Sequence, residues 1–153
     1  MKIKQILTKE SIVSALQATN KDAVLLELAT LLAKGCGDVP PAEIAQVLME
    51  REKLGSTGIG NGVAIPHGKI PQLPQILTGF GRSLTGIPFD SQDGKPAQLF
   101  FVLLAPENAA SLHLKALARL SRLLKDVHFR NKLLEARDTN ELYQQIIDED
   151  EKF

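Results

Sequence analysis

The chain has 153 residues, 44% of them hydrophobic and 24% charged, with 18 Lys and Arg against 18 Asp and Glu. That length suits one compact domain that buries roughly two-thirds of its unfolded surface with no disulfide or metal, and the balanced charge argues against a general nucleic-acid binder, which carries a basic excess. A single cysteine, Cys36, fits a reducing cytoplasm, and no segment reads as a signal peptide or as a span for membrane insertion.

In chain order, Asn20 is placed to cap a helix running to about Lys34, with Ala23, Leu25, Leu26, Leu28, Ala29, Leu31 and Leu32 on its broad apolar side. Gly35 ends it, and Cys36 between two glycines reads as part of that terminating turn rather than as a nucleophile. Pro40 and Pro41 start a second helix over about 41–53, with Ile44, Val47 and Leu48 inward. The stretch from Leu54 to Gly62 holds four glycines in nine residues and reads as a tightly shaped loop without regular structure. Val63-Ala64-Ile65 follows as a short buried strand, closed by Pro66, so that His67 sits at a strand end.

Residues 76–84 and 97–104 are further strands, the second apolar throughout, as a central strand covered on both faces requires. Asp93-Gly94 marks the turn before it. Asn108 or Ser111 opens a helix to about Leu124, Asp126 caps another through Glu135, and Asp138 or Thr139 opens the last. Leu142, Tyr143, Ile146 and Ile147 pack that last helix inward, and the acidic end, Asp148 to Glu151, is expected to fray into solvent. The order of elements predicts an α/β fold: one domain over 1–153, core about 6–147, with a mixed β-sheet flanked by helices on both faces.

Nucleotide motifs lack local support in the glycine stretch. Five residues, not four, separate Gly62 from Gly68-Lys69, and Ile70 stands where a Walker loop needs Ser or Thr. Val63 occupies the third glycine position of a dinucleotide fingerprint begun at Gly58, and Leu54 occupies a glycine position of a nucleophile elbow at Ser56. Of the three histidines, His128 reads as a surface residue in the first turn of a helix. His67 differs, because Pro66 stiffens its approach and Gly68 leaves little bulk beside the ring. His113, near the start of a helix after the central strand, lies on the rim where ligands of open sheets bind, or else packs against Leu117.

The segment from Arg51 through Leu54-Gly-Ser-Thr-Gly-Ile-Gly-Asn-Gly to Val63-Ala-Ile-Pro-His67-Gly-Lys69 resembles the active-site segment of the mannitol/fructose-type IIA proteins of the bacterial phosphotransferase system. Leu103-Leu-Ala-Pro106 followed by Ser111-Leu-His113-Leu-Lys-Ala-Leu-Ala118 resembles their second segment, and the similarity runs from Ile6 to about Ile147. Within the family the chain is most similar to the nitrogen-regulatory IIA branch. The resemblance implies the mannitol-type IIA fold and phosphorylation of His67 on Nε2. It implies HPr, or its nitrogen-branch homologue, as the phosphoryl donor, charged by a phosphoenolpyruvate-dependent kinase. It also implies supporting roles for His113 and Arg51, and no cofactor. The acceptor or target is then a downstream regulatory protein of nitrogen or potassium metabolism, or a IIB domain if the chain serves sugar transport.

Neutral imidazole is a good nucleophile near pH 7. Arg51 suits the nearly dianionic group with a permanently charged fork of donors. Thr57 and Ser56 are candidate hydroxyl donors to the phosphoryl group, and Ile59, Ile65 and Leu112 a candidate apolar collar for the donor protein. A metal-binding module on His67 and His113 is the alternative from another class; no carboxylate is marked out by spacing to complete its shell.

Overall fold

A computed structural model describes residues 1–153. The apolar run becomes β6 (Ala97–Ala105), the centre of a six-stranded mixed sheet. Phe100, Val102 and Leu104 pack on one face and Leu99 and Phe101 on the other, all essentially inaccessible to water. Coverage of both faces is why this strand has no polar alternation. β5 (Leu77–Ile87) runs antiparallel along one edge of β6, and β1 (Ile12–Val13) adds a parallel strand outside it. The other edge of β6 carries two short parallel strands in succession, β3 (Val63–Ala64) and then β4 (His67–Lys69). β2 (Gly58–Gly60) pairs antiparallel with β3 beyond them.

Two local expectations change. Pro66 interrupts the strand without ending it, because its carbonyl still accepts from the Leu103 N–H at 2.9 Å. The chain therefore stays beside β6, and His67 opens a new strand. The glycine stretch is also less irregular than expected: Gly58–Gly60 is an edge strand. Asn61 and Gly62, at φ 58° and 76°, make the two-residue turn into β3. A hairpin of this length needs positive φ at both turn positions, which Asn-Gly supplies at least cost.

α1 (Lys21–Ala33) and α2 (Pro41–Lys53) cover one face of the sheet; α3 (Ala110–Lys125), α4 (Val127–Glu135) and α5 (Thr139–Asp150) cover the other. The expected arrangement, helices on both faces of a mixed sheet, is the observed one. Asn20, Asp126 and Asp138 cap α1, α4 and α5 through their side-chain oxygens. α3 instead starts after Ala109, with no side-chain cap from Asn108 or Ser111. Leu26, expected on the apolar side of α1, faces solvent at 47% exposure, since Leu25, Leu28, Ala29 and Leu32 already fill that side. No helix is long and apolar enough to cross a membrane.

The acidic end corrects a third expectation. Asp150 is 1% exposed and holds the start of the chain, accepting from the Ile3 N–H at 2.7 Å and from Arg119 Nε. Glu149 is buried as well, so only Asp148 and Glu151 meet solvent. On the same side of the sheet, the buried Arg82 guanidinium donates to the carbonyls of Leu133 and Ala136 at 2.8 and 2.6 Å. It thereby satisfies groups that the end of α4 leaves without helical partners.

Candidate functional site

β4 pairs only with β6. The C-terminal half of α2 and the N-terminal half of α3 lean over it from opposite sides and leave a cavity of about 620 Å³. His67 and Lys69 enter it from β4, Glu50, Arg51 and Leu54 from α2 and its end, and His113, Leu114 and Leu117 from α3. Alternation along the strand turns His67 and Lys69 to one face and Gly68 to the other. A Cβ on Gly68 would lie 2.6 Å from Val47 Cγ1. Glycine at this position is what allows α2 to approach β4, and so brings Arg51 towards the histidine.

The half-buried His67 ring is anchored at one nitrogen. Its Nδ1 lies 2.8 Å from the Ile65 carbonyl oxygen. A carbonyl only accepts, so Nδ1 carries the proton and Nε2 keeps its lone pair. Burial lowers the His67 pKa below that of free imidazole and the Arg51 charge adds to this; the Ile65 carbonyl and the Glu52 carboxylate act in the opposite direction. The ring is therefore neutral at pH 7, with a free nucleophilic nitrogen.

His113 stands edge-on to His67, with ring centroids 5.5 Å apart. It is buried, and its Nε2 has no hydrogen-bond partner. An unpaired polar atom in a buried position is costly and rare. Burial, helped by the charges of His67 and Lys69, lowers its pKa to about 4. Arg51 makes no ion pair with its acidic neighbours and instead donates from one terminal nitrogen to the Gly55 carbonyl at 2.9 Å. Its remaining donors are uncommitted. The arrangement thus offers a nucleophilic imidazole nitrogen, an unsatisfied imidazole and two cations around one space, a set suited to an incoming dianion.

The structure brings together His67, His113 and Arg51, but not the two hydroxyls. The Thr57 hydroxyl donates to the Glu52 carboxylate, and Ser56 Oγ donates to the Phe89 carbonyl at 2.7 Å while accepting from the Gly58 N–H. Neither lines the cavity. Thr57 is 5% exposed, with its N–H and hydroxyl both held by the Glu52 carboxylate at the end of α2. The apolar collar also differs. Ile65 is buried in the core, and Ile59 and Leu112 are exposed but outside the lining, which Val47, Leu54, Leu114 and Leu117 supply. Lys69 was not singled out from sequence, because the three-residue strand that turns it to the same face as His67 is not legible there.

No group of three or more His, Cys, Asp or Glu side chains is placed to share a metal ion. Cys36 is buried, and burial raises its thiol pKa away from the reactive thiolate. His128 is exposed.

Residues 5–149 match the family described as Phosphoenolpyruvate-dependent sugar phosphotransferase system, EIIA 2. A nitrogen regulatory protein of Bradyrhizobium diazoefficiens is 46% identical over 143 residues, covering 94% of this chain and 93% of its own. The PTS system fructose-specific EIIABC component of Bacillus subtilis is 40% identical over 136 residues, 89% of this chain but 21% of that longer protein. The crystal structure of the nitrogen regulatory protein IIA-Ntr from Neisseria meningitidis matches with a TM-score of 0.88 at 35% identity, over 94% of this chain and 98% of the other.

Proposed function

Because this chain belongs to the EIIA 2 family of the phosphoenolpyruvate-dependent sugar phosphotransferase system, we propose that it is a phosphocarrier that accepts a phosphoryl group on Nε2 of His67. The observation that carries the reading is the bond from Nδ1 to the Ile65 carbonyl, which leaves Nε2 as the one nitrogen able to attack. The donor is a phosphohistidine of an HPr-type protein docked over the cavity. The Nε2 lone pair forms the new N–P bond as the donor's N–P bond breaks, and the electron pair of that bond returns to the donor's ring.

Arg51 and Lys69 offset the charge carried by the phosphoryl oxygens, and His113 supplies the hydrogen bond its Nε2 lacks in the free protein. Retention of the proton on Nδ1 leaves the phosphorylated ring a good leaving group, so onward transfer stays easy. The donor meets an apolar lining of Val47, Leu54, Leu114 and Leu117, suited to a brief encounter.

The phosphorylated state serves regulation of the nitrogen-related kind, in the cytoplasm. Near full-length similarity to the Bradyrhizobium diazoefficiens nitrogen regulatory protein supports this. The 40% identity to a fructose-specific component favours a second reading, in which a IIB domain takes the group for sugar transport. Incubation with phosphoenolpyruvate, its kinase and HPr is expected to give an acid-labile, base-stable label that His67→Ala abolishes. Equal labelling of the variant would remove the site assignment. Rapid discharge to a IIB domain would select the second reading, whereas a target captured in only one phosphorylation state would select the first.

A further inference from the structure

We propose that Glu52 is a positioning residue for His67, pinning Thr57 so that a ladder of hydrogen bonds ends on the Ile65 carbonyl and holds the imidazole in its Nδ1–H form. The proposal rests on the phosphocarrier reading for its consequence, but not for its geometry.

Glu52 follows Arg51 on α2, about 100° further round the helix, and it is 8% exposed. Its carboxylate accepts from the Thr57 N–H at 3.0 Å, from the Thr57 hydroxyl and from Lys21 Nζ at 2.9 Å. The Thr57 carbonyl in turn accepts from the Ile65 N–H at 3.0 Å, and the Ile65 carbonyl accepts from His67 Nδ1 at 2.8 Å. Three steps therefore connect a carboxylate fixed on a helix to the ring nitrogen. The coupling is positional rather than electronic, since the N–H and C=O of Thr57 belong to different peptide planes, as do those of Ile65.

The need for such an anchor lies in the local fold. β2 and β3 are three and two residues long, and β4 starts again after Pro66. Short edge strands place a side chain poorly unless something rigid holds them. Lys21, at the start of α1, contacts Glu52, Asp90 at 3.2 Å and the face of Phe89, so the anchor reaches α1 and the loop after β5. Burial pulls the Lys21 pKa down, but the two carboxylates more than offset this and the ammonium stays charged.

Free histidine favours its proton on Nε2, the nitrogen that must be bare to attack, so a loosened Ile65 carbonyl lets the unreactive form return. The charged and titratable groups that face His67 within the cavity are Glu50 and Arg51 on α2, Lys69 on β4 and His113 on α3. All four remain in the variants below.

The test measures imidazole nitrogen shifts by NMR in the unphosphorylated protein, together with the labelling rate from phospho-HPr. Glu52→Gln and Thr57→Val are expected to move His67 towards the Nε2–H form and to slow labelling about tenfold, the low end of what outer-shell partners of a histidine contribute. Thr57→Ser is expected to behave as the parent. Glu52→Gln also removes a charge that favours protonation, so the His67 pKa is expected to fall. A folded Glu52→Gln protein with unchanged tautomer and rate overturns the proposal. If Glu52→Gln does not fold, the threonine pair decides, and identical tautomers in Thr57→Val and Thr57→Ser overturn it. If the parent takes no label while the tautomers shift as expected, the phosphocarrier reading fails and the positioning role stands.

Discussion

His113 carries an energetic cost that the fold tolerates, a buried imidazole held neutral with one nitrogen unpaired. In the unfolded chain it titrates near 6.5, and in the folded protein near 4. Between those values the unfolded state binds more protons, so stability falls as pH drops through that window and is flat above it. His113→Gln, which keeps polarity without the titration, is expected to show a shallower loss of melting temperature between pH 6.5 and 4. Parallel curves for the two proteins would mean that other groups govern the acid response. His67 adds to the same trend, because burial lowers its pKa too. At this scale the sequence was informative about residue type and less so about partners. The resemblance singled out His67, His113 and Arg51, which share one cavity, whereas Thr57 lies outside it. Its hydroxyl finds a carboxylate five residues back, across the end of a helix, and no periodicity announces that contact.

Among the elements, the contact between α2 and β4 decides the geometry of the cavity. Gly68 is the point of closest approach, with Val47 Cγ1 only 2.6 Å from where a Cβ would stand. Gly68→Ala is expected to push α2 outward, to cost about 1–3 kcal/mol in denaturant unfolding and to slow labelling by displacing Arg51. Val47→Ala added to Gly68→Ala is expected to recover much of both losses, because the two sites share one clash. Additive losses would show that the helix is not what moves. The long elements were readable because their signals are local: Asn20, Asp126 and Asp138 as caps, and the apolar run of β6. β1, β2 and β4 were not, since strands of two or three residues have no period to detect and exist only because β5, β3 and β6 offer them partners. Asn61-Gly62 was the one overlooked local signal, a hairpin turn inside a stretch read as loop.

Across the whole molecule, the two ends of the chain are tied together. Asp150 joins the Ile3 N–H to Arg119, and Lys2 Nζ reaches the Asp150 carbonyl at 3.3 Å. Asp150→Ala leaves a mostly buried guanidinium and a buried N–H without their partner, and is expected to cost about 3 kcal/mol in thermal or denaturant unfolding. The loss should appear with the cavity and its labelling intact below the melting transition; an unchanged midpoint would assign the clasp no energetic role. The amino-acid order alone determined the fold class, the two covered faces and the histidine that enters the cavity. Those features arise from neighbours along the chain: apolar spacing, caps, a proline and glycines at turns. That both hydroxyls are committed elsewhere, which leucines line the cavity and why Glu149 and Asp150 are buried were decided only in three dimensions. Each depends on atoms that folding brings together from distant positions, and hydrogen-bond partners of that kind leave no trace in composition or periodicity.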